Sequence, residues 1–425
     1  MKITEMQIKG YKNLIDCTVP LGDFNVIVGP NNSGKSNFLE IFGYIGNFFY
    51  PSGEEVESLL AGDTLSGSGS SIPHTPPFTD MPFEARMSFE TQISTKHFVM
   101  DYKLAFQRSN SETPDEHEGF LRELFSGKEK SKTGVAKQHI RRERNTLTFM
   151  GKNIPPIDEY TSLMEALRVH IRKFISDAQT KGTSEDLDQL REFAKFPFLF
   201  GTTPILAFSP AALRRDLSEG VMKSSYKYNS ICLTTNIDNL YKNRFGEKQN
   251  TRYNQFREAA CNILDLDDIK FNAKEFPIPS AGKGIKKIER IRRCFVKLPG
   301  GDYVDVSECS DGTLMVLAIL ATVLEDRYHP LICIEEPENC LHPAALKKLI
   351  KFLKEQSANK QILLTTHSPY LLNSVSPEDV IVALPDENAA TVFRKPQDIK
   401  KINKLLKSGF FSLGDLLVDN FAEVL

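Results

Sequence analysis

Three short apolar runs punctuate the chain, and each ends in polar or glycine-rich sequence. Phe24–Val28 (FNVIV) is bounded by Gly22 and Pro30; residues 331–334 (LICI) run into adjacent acids; residues 362–366 (ILLTT) run into a histidine. Runs of this length, edged by turn formers and rich in β-branched residues, predict buried strands. Behind the first, Phe38, Ile41, Phe42, Ile45, Phe48 and Phe49 recur at the spacing of one helix face. Residues 314–324 (LMVLAILATVL) predict an apolar helix. Near the N-terminus, Ile3, Glu5 and Gln7 alternate with Thr4, Met6 and Ile8, an imperfect two-residue period that still predicts a strand. A second strand is expected near 17–19. Residues 83–90 and 97–106 predict two strands of a small antiparallel sheet beside the core. Towards the C-terminus, VIVAL (380–384) predicts a strand, and IKKINKLLKSG and SLGDLLVDNFAEVL predict two helical blocks.

Between these elements the pattern changes. Residues 51–82 turn to Gly, Ser and Pro, as in LSGSGSSIPHTPPF, and predict a flexible loop with little capacity to bury a core. Residues 109–119 (SNSETPDEHEG) are polar and mark a boundary. From about 120 to 275 helical spacing recurs in blocks, as at Leu163, Leu167, Ile171 and Phe174, and again at Phe256, Ala260 and Ile263. The first pattern resumes near 285. The expected division is an N-terminal lobe at 1–108, a mainly helical insertion at 109–282 and a C-terminal lobe at 283–425, with no internal repeat.

Chemistry gathers where the apolar runs end. Residues 29–36 (GPNNSGKS) set two glycines with four residues between them, followed by Lys35 and Ser36, between an expected strand and an expected helix. This is the phosphate-binding loop pattern in the context it requires. The loop would run through Gly29, Pro30, Asn31, Asn32, Ser33, Gly34, Lys35, Ser36 and Asn37. Its backbone N–H groups would cradle phosphates at the positive end of the helix. Lys35 would reach the β- and γ-phosphates and the Ser36 hydroxyl would ligate Mg²⁺, so ATP and Mg²⁺ are the expected ligands. Parallel strands present ligands at their carboxyl ends. There Glu335 can hold the metal's shell, and the adjacent Glu336 can orient and deprotonate an attacking water. His367, at the end of another such strand, is placed to sense the γ-phosphate.

Charge and composition narrow the setting. Fifty-three basic residues stand against fifty-five acidic ones, so any nucleic-acid surface must be a local patch. One candidate is residues 283–297 (KGIKKIERIRRCFVK), with seven basic residues against one acid, which on a strand would form a positive edge. Arg141, Arg142 and Arg144 form a second cluster. No helix-turn-helix, OB or zinc pattern supports sequence-specific recognition. Seven cysteines without a CxxC pair suggest reduced thiols. MKITEMQIKG is no signal peptide, and residues 314–324 are too short to span a bilayer. A cytoplasmic protein without membrane attachment is expected.

The set GPNNSGKS, SDGT (310–313), EEPENCLHP (335–343) and TTHSP (365–369) resembles the ABC-type ATPases of the RecF, SMC and OLD-nuclease group. More narrowly, it is similar to the AAA-type ATPases of bacterial defence and repair loci. The resemblance covers roughly 1–105 and 285–425, with a weaker match at LAFSPAALRRDL (206–217). It implies an α/β P-loop fold of the ABC ATPase type, with a flanking antiparallel β subdomain and a helical insertion. In its terms residues 29–36 are Walker A, Glu335 the Walker B acid and Glu336 the catalytic glutamate. Ser310, Asp311 and Gly312 match the signature loop that closes over the γ-phosphate of a partner subunit. Residues 339–342 match the D-loop, and His367 the switch histidine. Three positions depart from the pattern: Glu335 stands where Asp is usual, Asp311 replaces the first signature glycine, and Met315 sits where relatives often carry Arg. Gln92 is a candidate for the Q-loop glutamine. The sequence after His367 leaves no room for the acidic nuclease domain of OLD-type proteins, so effector chemistry is expected from another chain. The resemblance implies a homodimer through ATP-sandwiched heads, acting as a nucleotide switch for a separate effector in anti-phage defence. A RecF-like repair ATPase that binds DNA directly is the alternative.

Overall fold

The structure is a computed structural model of the 425-residue chain. It describes residues 2–49, 83–93, 96–108, 119–129, 137–143, 146–149, 152–153, 205–206, 213–214, 233–242, 251–278, 287–325 and 330–418. The expected loop at 51–82, the helical block around Leu163 to Phe174 and the residue Arg144 lie outside them.

The N-terminal strands β1 (Lys2–Tyr11) and β2 (Leu14–Pro20) pair antiparallel, and β3 (Phe24–Val28) follows with every residue buried. The imperfect period of β1 has a structural cause. Its register against its other neighbour, the strand at 83–93, slips between Ile3 and Glu5. That bulge changes the phase, so Ile3, Met6 and Ile8 all face inward. Helix α1 (Lys35–Phe49) buries Phe38, Ile41, Phe42 and Ile45, the face its spacing predicts. Strands β4 (Phe83–Ile93) and β5 (Lys96–Arg108) form the expected antiparallel pair.

The chain then departs from expectation. Residues 109–282 were to be mainly helical, yet β6 (Gly119–Glu129), β7 (Lys137–Glu143), β8 (Thr146–Phe149) and β9 (Lys152–Asn153) continue the same sheet. The result is one eight-stranded antiparallel sheet in the order β2-β1-β4-β5-β6-β7-β8-β9. The expected boundary at 109 falls inside it. Mixed stretches such as FLRELFSGKE carry no decisive period of their own, and pairing with a preceding strand decides their conformation.

A short strand, β10 (Ile205–Leu206), precedes helices α2 (Leu233–Lys242) and α3 (Thr251–Leu264); α3 buries Phe256, Ala260 and Ile263 as predicted. Then β11 (Asp268–Ile278), β12 (Lys287–Lys297) and β13 (Tyr303–Asp305) make a three-stranded antiparallel sheet. Helix α4 (Asp311–Leu324) is buried along almost its whole length from Gly312 onward, and α2 and α3 pack against it. Such all-round apolarity is what a helix in the middle of a domain requires.

The remaining elements complete a six-stranded sheet. They are β14 (Leu331–Glu335), α5 (Pro343–Gln356), β15 (Gln361–Thr366), α6 (Pro369–Leu372), β16 (Val380–Pro385), β17 (Thr391–Arg394), α7 (Ile399–Lys407) and α8 (Leu413–Val418). The sheet order is β10-β14-β15-β3-β16-β17, parallel throughout except for β17. Its buried strands read as continuous apolar runs because both faces are covered. One side chain joins this sheet to the antiparallel one. Gln361 is 2% exposed, donates to the carbonyls of Ile3 and Gly22 at 2.7 Å each, and accepts from the Ile3 amide at 3.0 Å.

Candidate functional site

The central strands finish at one level. Glu335 on β14 pairs with Thr365 on β15, and Thr366 pairs with Val28 on β3. Gly29, Glu336 and His367 therefore leave the sheet side by side, at the carboxyl ends where parallel sheets bind ligands.

The glycine loop is folded tightly between β3 and α1. Gly34 adopts φ +86°, and a Cβ there would lie 2.2 Å from the Thr391 hydroxyl, so no other residue fits. Pro30, Asn31, Asn32 and Ser36 are exposed, Asn37 is half-buried, and Gly29, Ser33, Gly34 and Lys35 are buried. Lys35 donates to the loop's own carbonyls, Gly29 at 2.9 Å and Pro30 at 2.8 Å. Burial lowers its pKa, while Glu336, Glu335 and Glu338 act in the opposite direction. The buried Ser33 hydroxyl has no partner among the described residues, an orphan that a phosphate oxygen would satisfy. The Ser36 hydroxyl donates directly to Glu335 Oε1. Hydroxyl and carboxylate, 299 residues apart in sequence, thus converge on one point, which fits the oxygen donors Mg²⁺ prefers.

Beyond Glu335 the backbone turns sharply. Glu336 has φ +45°, a left-handed conformation uncommon for a side chain of its kind. Its amide donates to the Thr365 carbonyl at 3.0 Å. The turn aims its carboxylate at His367, with Oε1 3.1 Å from Nδ1, while Oε2 accepts from Asn339 Nδ2 at 3.1 Å. Glu338, the third acid of EEPE, has a side chain only 9% exposed. Its Oε1 accepts from the Thr366 hydroxyl at 2.5 Å and from the His367 amide at 3.2 Å, and its buried Oε2 has no partner among the described residues. Sequence reasoning did not single it out, although a third acid so close to the pair was a visible signal.

Ser310 is the N-cap of α4, its hydroxyl accepting from the Thr313 amide at 3.2 Å. Among the described residues no hydrogen bond or ion pair joins Ser310, Asp311 or Gly312 to the glycine loop of the same chain. Gly312 instead abuts residues 339–342: an added Cβ would sit 2.3 Å from the Cys340 carbonyl oxygen. Met315 is 3% exposed, which accounts for an apolar residue at that departure from the pattern. A second residue missed by sequence reasoning is Arg214, whose guanidinium reaches the Ser307 and Cys309 carbonyls and Asp311. Its segment resembled the family only weakly, and its partners lie more than ninety residues away. A third group is the β1–β2 turn. Asn13 donates to the Asn32 carbonyl at 3.3 Å and accepts from Asn37 at 2.7 Å, and Lys12 donates to Asn37 at 3.2 Å.

Other candidates stand apart from this cluster. Residues 287–297 of the basic run form β12, paired with β11 along its length but with β13 only at Phe295, Val296 and Lys297, and Arg293 is exposed; residues 283–286 lie outside the described residues. Gln92 lies on β4 opposite His97, beside the turn into β5. Six described cysteines are free; burial pushes the Cys17 thiol up to about 12 and raises Cys294 and Cys333 as well. No described helix is long and apolar enough to cross a membrane.

A parallel sheet presenting this glycine loop beside paired strand-end carboxylates, with a capped helix at 311–324, defines a P-loop ATPase of the ABC type, with the head fold of SMC proteins. Family models agree: residues 1–189 match one described as "AAA ATPase domain", and residues 210–373 match one described as "AAA domain, putative AbiEii toxin, Type IV TA system". Among solved structures the chain is similar to an Smc head bound to the C-winged helix domain of ScpA. The TM-score is 0.50 at 14% identity, covering 94% of this chain and 100% of that one. The SMC head domain from Thermotoga maritima gives a TM-score of 0.42 at 14% identity, covering 93% and 100%. A 75-residue stretch is 32% identical to the chromosome partition protein Smc of Mycoplasma genitalium; it spans 17% of this chain and 8% of that protein's length.

Proposed function

We propose that the chain binds ATP with Mg²⁺ at residues 29–36 and hydrolyses it in a nucleotide-sandwiched homodimer that switches a separate effector protein. The observation that carries this reading is the convergence of Ser36 with Glu335, and of Glu336 with His367, at adjacent strand ends. Lys35 would exchange its loop carbonyls for β- and γ-phosphate oxygens. Ser36 and Glu335 would hold Mg²⁺, which neutralises charge on those phosphates when bound. Glu336 accepts the proton of the attacking water as the bond from the γ-phosphorus to its bridging oxygen breaks, releasing ADP and phosphate. His367 and Asn339 fix the direction of the Glu336 carboxylate, and Glu338 in turn holds the His367 backbone.

Two features support an effector role in anti-phage defence: the toxin–antitoxin wording of the second matching family model, and a similar head that carries a separate protein. The alternative, direct DNA contact, rests on the basic strand β12. Glu336→Gln should retain ATP binding and lower phosphate release roughly a hundredfold or more, because an amide cannot accept the water's proton. The same variant should accumulate as an ATP-bound dimer in light scattering. Turnover at the parent rate would remove Glu336 from the mechanism.

A further inference from the structure

Asp311 is the oddest residue in the site. In the proposed dimer it would bring a carboxylate to the helix end that must meet the partner's triphosphate. We infer that Arg214 is a positioning residue for this site in trans: it cancels the Asp311 charge and holds the signature loop so that a γ-phosphate can be accepted across the interface. The inference rests on the two-fold sandwich proposed above.

The geometry is specific. Arg214 Nη2 lies 2.7 Å from Asp311 Oδ1 and 2.8 Å from the Cys309 carbonyl oxygen, and Nη1 donates to the Ser307 carbonyl. One planar guanidinium thus ties both carbonyls that precede Ser310 and the carboxylate that follows it. A lysine, as a point charge, could not reach all three at once. Arg214 and Asp311 side chains are 37% and 44% exposed, so the pair sits at the surface where a second copy would arrive. The N-terminus of α4 favours an anion, and an unpaired Asp311 would occupy that role itself. With Asp311 neutralised by Arg214, the Ser310 end of the helix is left for the incoming phosphate.

The test uses the full chain carrying Glu336→Gln, so that ATP-bound dimers accumulate. Adding Arg214→Ala should weaken ATP-dependent dimerisation about tenfold or more, as expected for loss of charge-assisted hydrogen bonds. The defect should shrink as ionic strength rises, because screening weakens the repulsion between Asp311 and the triphosphate. Adding Asp311→Gly to Arg214→Ala should restore most of the dimerisation, which a purely structural tie would not allow. Arg214→Lys should fall between parent and Arg214→Ala. Dimerisation unaffected by Arg214→Ala, no recovery in the double variant, or an equal loss of ATP binding by the monomer would each overturn the inference. Ser310→Arg, measured alongside, separates the two levels of argument. If Ser310→Arg also dimerises normally, the sandwich itself fails; if only Arg214→Ala behaves as the parent, Arg214 alone loses its role.

Discussion

Lys35 shows how much of a site a single side chain can organise. Its amine is buried against carboxylates on neighbouring strand ends, and its hydrogen bonds close on its own loop. Replacing it with alanine would remove the charged donor proposed for the β- and γ-phosphates. Lys35→Ala should therefore weaken nucleotide binding about a hundredfold, the worth of roughly 3 kcal/mol of charged hydrogen bonding. Titration with a fluorescent ATP analogue checks this, and affinity that survives intact would dislodge the loop from its role. Glu336 carries a different lesson. A left-handed backbone at a non-glycine residue costs about 1 kcal/mol or more, and here it turns the carboxylate from the sheet towards His367. Residue type and strand-end position were legible in LICIEEPE, but the left-handed turn was not, because it accompanies a hydrogen bond from the Glu336 amide to the Thr365 carbonyl on a neighbouring strand.

At the scale of elements, the parallel strands and their flanking helices were legible because each is self-declaring. β3, β14 and β15 are buried on both faces, so their sequences are mostly apolar. The strands β6 to β9 were not, since an antiparallel sheet is set by partners and their residues share no clean period. The join between the two sheets was equally hidden. Part of it is the pair Gln361 and Ile3, which lie 358 residues apart, and part the packing of β17 on β2. Gln361→Leu would leave the Ile3 amide and carbonyl without these partners in a buried place. We expect a loss of about 2–3 kcal/mol in stability from unsatisfied buried groups, read as a lower denaturation midpoint in urea. An unchanged midpoint would mean that the sheets are held together elsewhere.

For the whole molecule, the sandwich makes a demand that no single chain can meet. The glycine loop and the signature helix belong to one polypeptide, but the second would serve the nucleotide of the other. Ser310→Arg should block closure and hydrolysis while leaving ATP binding, because the larger side chain intrudes where the phosphate approaches. Mixing it with Lys35→Ala should restore part of the lost activity, since each mixed dimer holds one doubly damaged site and one intact site. Isologous two-fold pairing sets the arithmetic. A mixture as inactive as its parts, or hydrolysis by a monomer at a rate indifferent to dilution, would dismiss the arrangement. The contact between Gly312 and the Cys340 carbonyl then acquires a further meaning. The turn that holds Glu336 in one site leans on the helix that completes the other, with no Cβ between them to absorb a shift. In the proposed dimer neither site would keep its own clock: a movement that follows phosphate loss on one side would be felt as a change in fit on the other, and turnover in the pair would become cooperative in ATP.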